Sequence, residues 1–216
     1  QIAKYIPGNV FHVVGRHILG SQAGIKHIVL VGATVYEILG LLSISILIGF
    51  GGMVIFGLGD IYFSLYQIIL ILFTTLVITS LAIALAPYLM SLRGIILPNK
   101  RIRDTIHNIS KVYLLYFIFF LIAGLLLVII VNTFLNINFI ITAKLVVIFS
   151  IAWVAGFIIP GAPGGIGVRE AVIIFFITPI IGEAQSIAVA IALRFITLLG
   201  DVWFLIISDS KFYFKK

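Results

Sequence analysis

Apolar residues in this chain come in long, nearly unbroken blocks, and the polar residues gather between them. A helix of a soluble protein shows one apolar stripe, whereas a helix that is apolar all round is buried or lies in lipid. Blocks at 28–56, 64–90, 112–134, 140–159 and 184–207 each approach or exceed the roughly 20 residues that cross a hydrocarbon core about 30 Å thick. The pattern predicts five membrane spans in an all-α, polytopic integral membrane helical bundle.

The interruptions are as informative as the blocks. Residues 1–27 mix Lys4, Arg16, Lys26 and histidines at 12, 17 and 27 with Val, Ile and Phe, which reads as interfacial or re-entrant. Pro7-Gly8-Asn9 marks a turn and a helix start, since Pro presets φ and Asn accepts a backbone N–H bond. The fourth block stops at Pro160-Gly161-Ala162-Pro163-Gly164-Gly165-Ile166-Gly167, and the apolar return over 166–181 is short for a crossing. A Pro/Gly-broken re-entrant helical hairpin is therefore expected there, because irregular backbone survives at membrane depth only where protein or a watery cavity satisfies it. All of 1–216 reads as a single membrane domain, and the opening run Gln1-Ile-Ala-Lys reads as lacking N-terminal helices.

Composition strengthens this picture. Hydrophobic residues make up 62% and charged residues 10%, against about a quarter charged in an average soluble domain. The net charge of +7 has no exposed basic domain to carry it, so nucleic acid is not an expected partner. It reads instead as topology. The 91–111 loop holds Arg93, Lys100, Arg101, Arg103 and Lys111 against Asp104, the C-terminal end holds Lys211, Lys215 and Lys216, and Asn132 to Asn138 carries no charge. The positive-inside rule puts the 91–111 loop and the C-terminus in the cytoplasm and 132–139 outside, in a multi-pass protein of the cell membrane. With no cysteine in the sequence, disulfides, thiolate metal sites and a cysteine nucleophile are excluded. The histidines at 12, 17, 27 and 107 lack metal-site spacing with carboxylates, and no cofactor is expected.

Charges lodged among apolar residues are the candidates for chemistry. Arg194 falls mid-block, where an arginine costs about 2.5–3.5 kcal/mol even on a lenient insertion scale and must face a partner or water. Asp201 lies two turns further along the same helical face, with Thr197 between. Glu37 meets the same cost argument in the first block. Beside the glycine run stand Arg169 and Glu170. A helix beginning near Ile166 would aim free N–H groups at the loop, so Gly164, Gly165 and Gly167 with Arg169 would make an anion site. On the structural reading the Pro and Gly residues only turn the chain, and Arg169 and Glu170 neutralise each other. The run lacks the Lys-Ser/Thr of a phosphate-binding P-loop and follows a span, not a strand. Arg16, four residues after His12 on one helix face, is a candidate for lipid headgroups. Lys4, Lys26 and Lys144 read as interfacial snorkelling residues.

Lys4-Tyr5-Ile6-Pro7-Gly8 with Arg16, the spanning Glu37, Pro160-Gly161 with Gly164-Gly165-Ile166-Gly167-Val168-Arg169-Glu170-Ala171, Glu183-Ala184 and Leu193-Arg194 together resemble the lysylphosphatidylglycerol synthase transmembrane family, a flippase-like membrane domain. The soluble synthase portion of that family has no counterpart in these residues. The resemblance implies lipid handling, with an anionic phospholipid or polyprenyl-linked lipid as partner, and not aminoacyl transfer. Three readings follow. In the leading one a flippase-like transporter holds the headgroup through Arg16, Arg169, Arg194 and the glycine N–H groups, with Glu37, Glu170 and Asp201 compensating or gating. In the second a non-catalytic membrane subunit presents lipid to a separate glycosyl- or aminoacyl-transferase. An intramembrane enzyme is the third, disfavoured by the lack of a visible nucleophile or metal cluster. Whether copies assemble into a homo-oligomer is open at this level.

Overall fold

The computed structural model describes residues 20–22, 24–25, 27–58, 66, 69, 73, 75, 102–159 and 162–213, with side chains placed at all of these except 28, 29, 102–109, 163 and 204–213. Every regular element among the described residues is helical: α1 (His27–Phe56), α2 (Ile102–Val131), α3 (Phe139–Ile158), a 3₁₀ turn (Pro163–Gly165), α4 (Val168–Ile181) and α5 (Glu183–Tyr213). Four stretches are long and apolar enough to cross a membrane: Leu30–Phe56, Ser110–Val131, Phe139–Ile158 and Glu183–Trp203. The expected span at 64–90 lies outside the described residues apart from helical positions 66, 69, 73 and 75. The segment holding Arg16 and the Pro7-Gly8 turn lies wholly outside them.

The helices outrun the apolar blocks that predicted them. Helix α2 starts at Ile102 and α5 runs to Tyr213, because charged residues such as Lys, Arg and Glu are good helix formers and extend a helix past the hydrocarbon. Helix α3 begins where Asn138 Oδ1 accepts from the Ile141 N–H at 2.9 Å, an N-cap bond that satisfies one of its orphan donors. Lys144, expected to snorkel, instead donates from Nζ to the Gly57 carbonyl at 3.3 Å, serving an orphan acceptor at the end of α1.

Glycines set the packing. Gly49 faces Ile151 and Gly52 faces Val147, so α1 and α3 run antiparallel at close range; Gly124 faces Val146 and Phe120 meets Phe149 and Trp153, so α2 and α3 do likewise. Between helices in lipid no hydrophobic drive remains, and close backbone approach through small residues takes its place. The core gathers Leu127, Val131, Leu145, Ile148, Ile177 and Val189 from α2 through α5, all fully enclosed. Buried Ser45, Ser150 and Ser186 each donate back to a carbonyl of the preceding turn or cap, Leu42, Val146 and Gly182 respectively. Meanwhile Ile122, Ile129, Phe175, Ile191 and Phe195 are each more than 60% exposed. Such a surface has a hydrocarbon solvent as its physical setting.

Helix α4 has 14 residues and a length of about 21 Å, against about 30 Å for the 20 residues of α3. It turns at Gly182 into α5, which packs back along it.

A β-carbon on Gly124 would lie 2.9 Å from the Val146 Cα, and backbone cannot step aside as a side-chain tip can. Gly124→Leu is therefore expected to cost stability at or above the roughly 1–3 kcal/mol typical of overpacking. Thermal unfolding in detergent, with Ile122→Leu as a lipid-facing control, checks this; equal midpoints for the two variants would refute the packing account.

Candidate functional site

The chain breaks between α3 and α4 because its sequence leaves no alternative. Pro163 cannot continue a hydrogen-bonded helix, and Gly164, Gly165 and Gly167 take φ of 61°, 73° and 83°, the left-handed region in which a side chain is strained. The Gly165 N–H donates to the Ala162 carbonyl at 2.9 Å, closing the turn. Helix α4 then starts at Val168, two residues past Ile166, with Gly167 as N-cap.

Glu170 is the third residue of α4 and folds back so that Oε2 accepts from the Gly167 N–H at 2.6 Å. This is the glutamate half of a capping box. Its other oxygen, Oε1, lies 3.6 Å from Nε of Arg194 on α5. That separation is an ion pair and too long for a hydrogen bond. The two side chains are 22% and 17% exposed, respectively, so the pair sits in a partly desolvated setting where charge interactions are weakly screened.

Arg169 points elsewhere. A β-carbon on Gly156 of α3 would lie 2.5 Å from its Cγ, and one on Gly165 would lie 2.6 Å from its Nε. The arginine stem thus fills a slot that exists because both positions are glycine. Its guanidinium carbon stands 5.7 Å from the centroid of the Trp153 ring, within cation–π range. Trp153 is stacked on Phe157 at 5.4 Å and 6° and meets the edge of buried Phe120 at 5.3 Å. Nε of Arg169 and Nη2 of Arg194 are both buried.

The structure thus brings Arg169, Glu170, Arg194, Gly165 and Gly167 into one cluster at the α3–α4 break. Two expectations change there. The N–H groups of Gly165 and Gly167 are engaged by Ala162 and Glu170, so these glycines shape the turn. And Glu170 reaches across to Arg194, where mutual neutralisation with its neighbour Arg169 was the structural alternative. Thr197 spends its hydroxyl on the Arg194 carbonyl at 2.8 Å, and Asp201 is half-buried two turns along α5. Glu37 is half-buried on α1.

Sequence reasoning missed Trp153, Gly156 and Phe157. The available signal was a small residue flanked by aromatics in the last turn before the break, where a following arginine can fold back. Among the described residues no group of three or more His, Cys, Asp or Glu stands close enough to hold a metal ion.

Compared with family models, curated proteins and solved structures, the chain matches none. What fold and site define is a class: a helical, multi-pass membrane protein with a charged cluster beside a glycine-broken helix.

Removing one partner of a buried pair strands the other charge, at about 3–5 kcal/mol where burial is complete. With both groups near one-fifth exposed, Glu170→Gln and Arg194→Gln are each expected to cost less, on the order of 2 kcal/mol. The double variant should cost less than the sum, and a double-mutant cycle on unfolding free energies measures the coupling. Strict additivity would mean that the pair contributes nothing.

Proposed function

We propose that this chain is a lipid-handling membrane protein that binds an anionic headgroup, of a phospholipid or polyprenyl-linked lipid, at Arg169 and Arg194. The observation that carries the reading is the placement of two arginines, Arg169 and Arg194, at one helix break, with Glu170 tied both to Arg194 and to the α4 cap. An arginine within an apolar span is costly and marks a functional site by default. The planar fork of a guanidinium matches a phosphate at two points.

In this mechanism the headgroup phosphate engages Arg169 and draws Arg194 from Glu170, while Glu170 keeps its hold on the Gly167 N–H. Its acyl or polyprenyl chains stay in the bilayer. Helix α3 and the short α4 form the re-entrant hairpin, and the glycine turn between them lets α4 shift relative to α3. Glu37 and Asp201 compensate the arginines in the states where the headgroup is absent. The motif resemblance to the lysylphosphatidylglycerol synthase transmembrane family supports this reading and gives translocation between leaflets as the activity.

Reconstituted into liposomes, the full-length protein is expected to speed the leaflet exchange of fluorescent phosphatidylglycerol. Replacing both Arg169 and Arg194 by Gln should slow it by at least about tenfold, the loss of roughly 1.4 kcal/mol or more of headgroup interaction. Unchanged exchange in the double variant would remove these arginines from the mechanism. Lipid retained on purification without any exchange would favour the presenting-subunit role.

Orientation has its own test, which the cysteine-free sequence makes direct. A single cysteine placed at Lys211 should react with a membrane-impermeant maleimide only after the cytoplasmic face is opened. Labelling in intact cells would invert the topology.

A further inference from the structure

We infer that Trp153 is the positioning residue of the headgroup site: its ring holds the Arg169 guanidinium at the α3–α4 break, so that an incoming phosphate meets a cation already ordered. The inference rests on the headgroup reading above. Trp153 lies near the end of α3 and Arg169 in the first turn of α4. Their contact, 5.7 Å from the guanidinium carbon to the ring centroid, spans the glycine turn between the two helices. At that distance the ring quadrupole attracts a cation, and tryptophan is the strongest of the aromatic rings in this role.

The ring is itself held. Phe157, one turn further along α3, stacks on it at 5.4 Å and 6°, and Phe120 of α2 meets it at 5.3 Å and 89°. Phe120 is fully buried and packs in turn against Phe119 and Phe149. Stacked and edge-to-face pairs have preferred geometries, so rings on two helices fix the indole plane. The arginine stem is confined as well, since Gly156 and Gly165 bound it and neither has room for a β-carbon. Arginine is among the side chains that lose most rotamer freedom when immobilised. Here that ordering is done by the fold, which is how preorganisation raises affinity.

An apolar side chain would fill this slot at lower cost, because replacing a buried charge by well-packed hydrophobic residues is often neutral or stabilising. A guanidinium is a poor filler there and a good ligand. The nature of its support matters too. Arg194 is faced by the Glu170 carboxylate at 3.6 Å, which attracts it and also neutralises it. Indole carries an N–H donor and no acceptor. Trp153 therefore holds Arg169 through the ring without offering the oxygen atoms that a guanidinium fork takes from a phosphate.

The chain has two tryptophans, and the other, Trp203, is 67% exposed on α5. In a Trp203→Phe background, biosynthetic incorporation of mono-, di- and trifluorinated tryptophan therefore alters Trp153 alone, draining its π face stepwise while nearly keeping its shape. The full chain is placed in phosphatidylcholine nanodiscs containing phosphatidylglycerol, and retained phosphatidylglycerol is measured by native mass spectrometry. Retention is expected to weaken with each fluorine, reaching on the order of fivefold to tenfold, the scale of a cation–π contact. In Arg169→Gln, retention should be weak and indifferent to fluorination, which shows that the ring acts through the arginine. A parallel series with a polyprenyl phosphate tells which lipid carries the phosphate, and a fluorine response with neither lipid would overturn the inference. So would fluorination that shifts the thermal midpoint and leaves retention unmoved, the mark of a purely structural ring, or an equal fluorine effect in Arg169→Gln. If Arg169→Gln weakens retention and fluorination does not, the positioning role fails and the headgroup reading stands; if Arg169→Gln leaves retention unchanged, both fail.

Discussion

A helix that stops and restarts must find partners for its freed backbone groups. At the α3–α4 break that requirement converges on Glu170. One carboxylate oxygen accepts the Gly167 N–H and so starts α4; the other faces Arg194 and so ties α4 to α5. Each contact makes the other cheaper. The capping bond fixes the rotamer that the ion pair needs, and the guanidinium offsets the cost of partly burying the carboxylate.

The glycines around this carboxylate follow from the same geometry. Gly165 and Gly167 reverse the chain within a few residues, at φ values closed to other residues. Gly165 does so while leaving space for the Arg169 stem, and Gly156 supplies the opposite wall. Arg169 is then held over Trp153, itself stacked on Phe157 and edged by Phe120. Two adjacent residues of opposite charge thus leave the helix start in different directions, one toward α5 and one toward α3. Local sequence adjacency says nothing about which charges meet.

Hydropathy made the spans legible, because lipid selects for apolar length and little else. It misjudged where helices stop: α2 and α5 continue into charged sequence, since helix propensity and hydrophobicity are separate properties. The glycine turn was legible from Pro163 and its glycines, and so was the start of α4 to within two residues. The Glu170–Arg194 pair was missed, yet it too is written in the chain. Glu170 is 12 residues before Gly182 and Arg194 is 12 after it, so an antiparallel hairpin pivoting on that glycine sets them side by side. The Arg169 slot was not legible, because it depends on a side-chain direction and on a glycine from another helix.

The 3.6 Å separation of Arg194 and Glu170 bears on what the cluster can do. A short bidentate pair in a low-dielectric setting would be a lock, because no incoming anion could match its two parallel hydrogen bonds. Here Nε stands at ion-pair range from Glu170, which has a second attachment at Gly167 that survives if Arg194 leaves. Losing the guanidinium therefore does not strand the carboxylate without a donor. On the proposed reading, a phosphate that offers Arg194 closer and more numerous oxygen contacts competes with that pair, and the cap of α4 stays intact throughout the exchange. Glu170 thus makes two unequal contacts, a short bond that holds the start of α4 and a longer ion pair that ties α4 to α5.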